Sequence, residues 1–288
     1  MRGGGNLNEN LAREVMELHT TSPAAGYSQK DIIEAALILT GWQWYSGKAT
    51  HPVPQPGDPY GPYFQQPRHE PSERKVMGRT YKPVQFGKNQ AAELLADLAI
   101  HPQTAKFLSK KLLRHFLADD PPEKSIQAVE ESWHSSGGDL FAIHTAVIDQ
   151  VIQFGVKGQK FTTPQNWLIQ TLRLTGVEVP KSKPYPGTGQ YWINGLFEEL
   201  GQSYNKCPQP NGYSDLRADW ISKEMLDRRL RFSFAVGNKL NGEATEKLRM
   251  FATLLAGNGS TASDLVARAE TVTEAATLLL CSPDFLTT

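Results

Sequence analysis

The stretch Ser28-Gln29-Lys30-Asp31-Ile32-Ile33-Glu34-Ala35-Ala36-Leu37-Ile38-Leu39-Thr40-Gly41 decides the fold class. A start signal, an apolar run and a stop signal follow one another without interruption. Ser28 stands where a hydroxyl accepts from an amide of the first helical turn, and Asp31 occupies the reciprocal capping-box position. Ile32, Ile33, Ala36, Leu37 and Leu39 supply the apolar positions. Gly41 suits the left-handed position just past a helix end.

Outward from this segment the same grammar recurs. Upstream, Leu11, Val15 and Leu18 fall at i, i+4 and i+7 and predict one apolar face. Downstream, the periodicity predicts helices over 89–100, 102–117, 122–135, 139–153 and 164–175, and again over 221–236, 242–255, 262–268 and 270–281. Pro121-Pro122, Asp139 and Thr163-Pro164 mark three of the starts. Two stretches break the pattern, 42–87 and 178–219. The first has β-prone pieces at Trp42–Tyr45 and Thr80–Phe86, and its run from Pro52 to Pro62 cannot be regular helix. The second is punctuated by Pro180, Pro184, Pro186, Pro208 and Pro210 around a short helix near 189–200. The expected class is all-α. The expected form is a multi-helix globular bundle, one domain over 1–288, with two long Pro/Gly-rich loops and room for one small β-hairpin.

Composition narrows the function classes. Lys and Arg total 30 against 30 Asp and Glu in 288 residues, so the general basic excess of a nucleic-acid binder is absent and no nucleic-acid partner is expected. No apolar run approaches the roughly 18 residues of a membrane-spanning helix. Met1-Arg2-Gly3-Gly4-Gly5-Asn6 lacks the apolar core of a signal peptide. Cys207 and Cys281 form no Cys-x-x-Cys pair and are expected as separate thiols, although a disulfide between them stays open. P-loop, Gly-x-Gly-x-x-Gly, Gly-x-Ser-x-Gly and His-Glu-x-x-His motifs do not occur, which disfavours nucleotide-dependent, α/β-hydrolase and zincin chemistry.

Four segments concentrate chemistry. The first is Asn8-Glu9-Asn10-Leu11-Ala12-Arg13-Glu14-Val15-Met16-Glu17-Leu18-His19-Thr20. Glu9, Arg13 and Glu17 share a stripe that reads equally as a solvated charge ladder or as an Arg–Glu network flanked by Asn8, Asn10 and His19. Glu14, Glu17 and His19 are catalytic candidates, but their spacing departs from the Glu-x-x-His of di-iron bundles, so the metal content and any cofactor stay unknown. The second is Arg68-His69-Glu70 with Lys75, where His69 is an acid/base candidate. The third is His101-Pro102-Gln103-Thr104-Ala105-Lys106-Phe107, continuing to Lys110-Lys111-Leu112-Leu113-Arg114-His115-Phe116. There His101, Lys111 and His115 are binding candidates, and His115 reads equally as a core histidine. In the fourth, Pro210-Asn211-Gly212 signals a tight bend that would project Tyr213 and Asp215 ahead of Trp220. Trp42, just after the Gly41 stop, joins the binding candidates.

In this order the segments resemble a bacterial family known as domain of unknown function 1800. The resemblance rests on Asn8–Thr20, Gly26–Asp31, Leu39–Trp42, His101–Phe107, Lys111–Phe116, Gly201-Gln202 with Pro208, Gly212, Tyr213, Asp215 and Trp220, and the closing Ser282–Phe285. His69-Glu70-Pro71-Ser72 departs from the family's His-Asp-x-Gly-x-Lys, and Ile152-Gln153-Phe154-Gly155 replaces an earlier Ser-Pro-Glu-Phe. The resemblance implies a helical fold, a bacterial source and export to the periplasm or cell envelope. It also implies a neighbouring gene product similar to sulfatases and alkaline phosphatases as partner. Members carry a helical region ahead of the Asn-Glu-Asn segment that this chain lacks, so a truncated chain or fragment is expected. Two functions follow as expectations: an accessory or binding module acting with that partner, or a hydrolase, with or without metal, built from the first helix and the histidine motifs.

Overall fold

A computed structural model describes residues 7–44, 62–179, 192–256 and 261–287. The Pro52 run and Pro180, Pro184 and Pro186 lie outside the described residues. Among the described residues the fold is mainly α, with two small two-stranded antiparallel sheets. Among the described residues no helix is long and apolar enough to cross a membrane. The chain divides into two compact units, residues 1–112 with 122–148 and residues 113–121 with 149–288.

The first unit opens with α1 (Asn10–Glu14), which runs on as a π-helical turn, Val15–His19. The change of helix type corrects the apolar face read from Leu11, Val15 and Leu18. Ala12 and Met16 are the buried positions, and Leu11 is 57% exposed. The widened turn is held by its C-terminal neighbours. Thr20 Oγ1 donates to Val15 O at 2.7 Å, and the Ser22 amide and Thr21 hydroxyl both donate to Met16 O. α2 (Gln29–Leu39) follows as expected. Ser28 accepts from the Asp31 amide while Asp31 accepts from the Ser28 amide, and Gly41 sits past the helix end at φ +85°.

β1 (Trp42–Trp44) pairs with β2 (Pro62–Phe64), and β3 (Arg74–Val76) pairs with β4 (Arg79–Tyr81). The second hairpin turns through Met77 and Gly78, both at positive φ, the conformation that a tight two-residue hairpin turn demands. Methionine is poorly suited to that conformation. The Asp31 carboxylate secures it by accepting the Met77 amide at 2.7 Å, so one side chain serves both the helix cap and the hairpin. α3 (Lys88–Ala99), α4 (Pro102–Phe116), α5 (Glu123–Ser136) and α6 (Leu140–Phe154) follow, and α4 and α6 are shared between the two units. Ile32, Ile38, Val76, Tyr81, Leu94 and Leu98 bring α2, the second hairpin and α3 into one core around Met16.

The second unit contains α7 (Pro164–Thr175), α8 (Trp192–Glu199), α9 (Arg217–Trp220), α10 (Lys223–Gly237), α11 (Glu243–Ala256), α12 (Thr261–Arg268), α13 (Val272–Leu280) and α14 (Pro283–Leu286). Its centre is the crossing of α10 on α13. A Cβ added at Gly237 would lie 2.8 Å from Thr273 Cα, so the two backbones meet only because residue 237 has no side chain. Ala275 and Ala276 are fully buried on α13. Trp167, with no exposed surface, fills the core from α7 and donates its indole N–H to Leu280 O at 2.9 Å.

Candidate functional site

In the first helix, the stripe read as a charge ladder is a three-residue network of half-buried Glu9 and Arg13 with exposed Gln29, and it leaves Glu17 out. Gln29 Nε2 donates to Glu9 Oε2 at 2.6 Å, and Arg13 donates to Gln29 Oε1 at 2.9 Å and to Glu9 at 3.4 Å. Asn8 accepts the Asn10 amide at 3.0 Å. Among the described residues, the side chains of Glu14, Glu17 and His19 make no hydrogen bond or ion pair. His19 is exposed, while Glu17 lies near enough to Tyr27 to help burial raise that phenol above its ordinary pKa. Asn8 and Trp42 share the lining of a small cavity of about 110 Å³ with Leu7, Ala12 and Gly41. The Trp42 indole N–H is buried with no acceptor among the described residues.

His69 is the most enclosed of the candidates, at 2% exposure. Its Nδ1 lies 2.8 Å from Thr40 O, an acceptor, so Nδ1 carries the proton and donates. Its Nε2 lies 3.2 Å from Gln90 Oε1. The Gln90 amide cannot be turned round without loss, because its nitrogen donates to both Ser72 O and Tyr81 O at 2.9 Å. Glycines flank the ring. A Cβ at Gly41 would come within 2.8 Å of His69 Cβ, and one at Gly87 would overlap the imidazole. The Thr40-Gly41-Trp42 and Arg68-His69-Glu70 motifs, far apart in sequence, are thus two parts of one buried contact.

His101 and Lys111 are likewise committed. His101 Nδ1 accepts the Gln103 amide at 3.1 Å at the start of α4. Lys111 Nζ donates to Leu18 O at 3.3 Å, capping the π-helical turn, and lies 5.3 Å from the Phe107 ring centroid. Lys111 therefore reaches the turn that carries His19.

In the second unit, two candidates meet. His115 Nδ1 lies 2.7 Å from Asp215 Oδ1, and the His115 ring packs edge-on against Phe116 at 4.5 Å. The Asp215 hydrogen bond, working against burial, raises His115 above the ordinary histidine pKa. The His115 side chain is 50% exposed, and its Nε2 has no partner among the described residues. Asp215 is positioned by the bend read from Asn211-Gly212, where Gly212 has φ +83°. Tyr213 and Trp220 hold that bend: Tyr213 donates to Ser203 O at 3.0 Å, and the Trp220 indole donates to Ser214 O at 2.8 Å. Both are scaffolding for Asp215.

A buried lysine that the sequence did not reveal lies next to this pair. Lys160 Nζ donates to Asp119 Oδ1 and to Asp215 O, each at 2.5 Å, and the second Asp119 oxygen accepts the Arg217 amide at 2.7 Å. Nothing local marks Lys160 or Asp119 as special, because their partners lie 41 to 98 positions away. Also unread was Arg229, 1% exposed in the core between the Phe161 and Trp167 rings, at 4.8 and 5.4 Å. It donates to Thr162 O at 2.7 Å, and burial lowers its pKa to about 10.

Among the described residues no three His, Cys, Asp or Glu side chains are grouped so as to hold a metal ion. The family model described as protein of unknown function (DUF1800) matches residues 3–287. Comparison with curated proteins and with solved structures finds no match.

Proposed function

We propose, since the chain belongs to the DUF1800 family of proteins of unknown function, that it is a non-catalytic helical binding module of the bacterial cell envelope, working with a partner protein. The observation that carries this reading is the state of His69. A general acid or base needs a nitrogen that can exchange a proton with substrate. Both ring nitrogens of His69 face oxygens of the fold, and the ring is 2% exposed. His101 and Lys111 also spend hydrogen bonds on capping backbone groups. The partner is a product similar to sulfatases and alkaline phosphatases. Binding of that partner to the immobilised chain tests the reading. Saturable association at micromolar concentration is expected, and its absence overturns the proposal.

One observation favours a second reading, a hydrolase. His115 presents an imidazole whose Nδ1 is held by a carboxylate and whose Nε2 has no partner among the described residues, the arrangement of a general base. Nitrophenyl phosphate, sulfate and acyl esters, offered to the protein and to its His115→Gln variant, test it. Turnover lost in the variant supports the hydrolase, and no turnover by the parent protein ends it. Elemental analysis of the same preparation reports any metal.

A further inference from the structure

The second hairpin and α3 enclose a cleft that neither functional reading uses. It has a volume of about 310 Å³ and lies wholly within the first unit. Val76, Leu94 and Leu98, each no more than 3% exposed, lie beneath it, and the more exposed Met77, Ile100 and Pro102 form its apolar floor. Its polar wall is assembled from β4, α3 and the start of α4. Tyr81 donates its hydroxyl to Asp97 Oδ2 at 2.8 Å, and Arg79 donates through Nη1 to the other Asp97 oxygen. The Arg79 guanidinium carbon lies 5.7 Å from the Tyr81 ring centroid. Arg79 is therefore fixed beside the cleft by a carboxylate and by an aromatic face, although it lies at the surface.

The donors still available indicate the ligand. Arg79 Nε and Nη2 have no partner among the described residues. His101 lines the same cleft, and its Nδ1 already accepts the Gln103 amide, so the N–H of the neutral ring is on Nε2, likewise without a partner among the described residues. Both Asp97 oxygens already accept hydrogen bonds, and Arg79 already covers the Tyr81 ring, so the places that would attract a cation are filled from within. Open donors over an apolar floor, in a volume at the lower end of the ligand-pocket range, suit a small molecule with an apolar body and an acceptor head. A planar carboxylate matches a guanidinium edge best.

We propose that this cleft binds a small monocarboxylate with an aliphatic or aromatic body, its carboxylate on Arg79 and the His101 Nε2–H and its body on Met77, Ile100 and Pro102. The site stands independently of the partner reading above.

Phenylacetate, with phenylacetamide and 2-phenylethylamine as controls, tests the proposal by NMR titration of the whole chain. Saturable shifts at Met77 and Ile100 are expected with phenylacetate, weaker ones with the amide and none with the amine. Arg79→Met is expected to weaken phenylacetate about tenfold, the loss of one charge-assisted bidentate contact. His101→Asn keeps an oxygen to accept the Gln103 amide, so α4 stays capped, and it is expected to weaken binding by a smaller factor. Absence of saturable shifts overturns the site. Equal binding of acid and amide overturns the ligand class. Binding that neither substitution changes overturns the placement.

Discussion

His69 and Gly87 are in such close contact that any side chain at residue 87 would occupy the space of the imidazole. Gly87 also has φ +88°, so backbone geometry and packing both demand glycine there. The same ring lies on Gly41, at φ +85°. The histidine is thus held between two glycines that each end or begin a helix, and its Nδ1–H hydrogen bond to Thr40 O fixes its orientation, with Nε2 packed 3.2 Å from Gln90 Oε1.

Gly87→Ala is accordingly expected to cost about 2–4 kcal/mol, combining left-handed strain with overpacking. His69→Ala removes the overlap but not the strain. In the Gly87→Ala/His69→Ala double variant the two costs should fall short of their sum by about 1 kcal/mol or more. Urea denaturation of the four proteins measures this. Simple additivity would show that the ring and the glycine are not in contact in solution.

Asp31 links α2 to the second hairpin through its bonds to the Ser28 and Met77 amides. Burial opposes ionisation of this carboxyl, but the Ser28 hydroxyl and amide and the Met77 amide outweigh it and lower its pKa. Its stabilisation is therefore present above the ordinary aspartate value and is lost as pH falls through the lower folded value. Asp31→Ala is expected to cost about 1–2 kcal/mol at neutral pH. Amide hydrogen exchange should then rise in β3 and β4 as well as in the first turn of α2. Exchange confined to α2 would remove the hairpin from the argument.

What was legible in the sequence follows from how local each signal is. Ser28, Asp31 and Gly41 act within one helix, and Asp139 does too, its carboxylate accepting the Ala142 amide at 2.8 Å, so caps and helix bodies could be read directly. The π-helical turn could not be, since part of its cap is Lys111, 93 positions away. The Met77-Gly78 turn lacks the Asn-Gly signature and depends on Asp31, 46 positions earlier. His115 and Asp215 were both legible as polar residues in patterned segments. Their pairing across 100 positions, and the presence of Lys160 beside them, belong to tertiary structure alone.

Lys160 and Asp119 should respond unequally to loss of the partner. The Lys160 side chain is 10% exposed and Asp119 is 31% exposed. Asp119→Ala leaves a buried ammonium with Asp215 O as its remaining acceptor among the described residues and frees the Arg217 amide, which is expected to cost about 3–5 kcal/mol. Lys160→Met removes the buried charge and keeps the volume, while Asp119 can turn to water and retain the Arg217 amide. Its cost should be clearly smaller. Thermal unfolding of the two variants tests the order, and a larger loss for Lys160→Met would contradict the burial argument.

The His115–Asp215 pair makes a prediction about pH. The Asp215 hydrogen bond raises the His115 pKa, while burial and the nearby Lys160 charge lower it. A free histidine titrates near 6.5. A group whose folded value is raised contributes stability that is fully present below the unfolded value and is lost as pH rises through the folded value. The stability difference between the parent protein and Asp215→Asn should therefore be largest in mild acid and shrink as pH rises through the His115 midpoint. Half of the side chain is exposed, so solvent screening keeps the difference modest. The ring signal is the sharper readout. In the parent protein the His115 midpoint should lie above the ordinary value, and in Asp215→Asn it should fall, because only burial and Lys160 still act on it. Equal midpoints in the two proteins would mean that the carboxylate does not hold the ring in solution. The general-base reading of His115 would then lose its geometric support, whereas a midpoint that follows Asp215 leaves Nε2 as the atom at which to look for proton transfer.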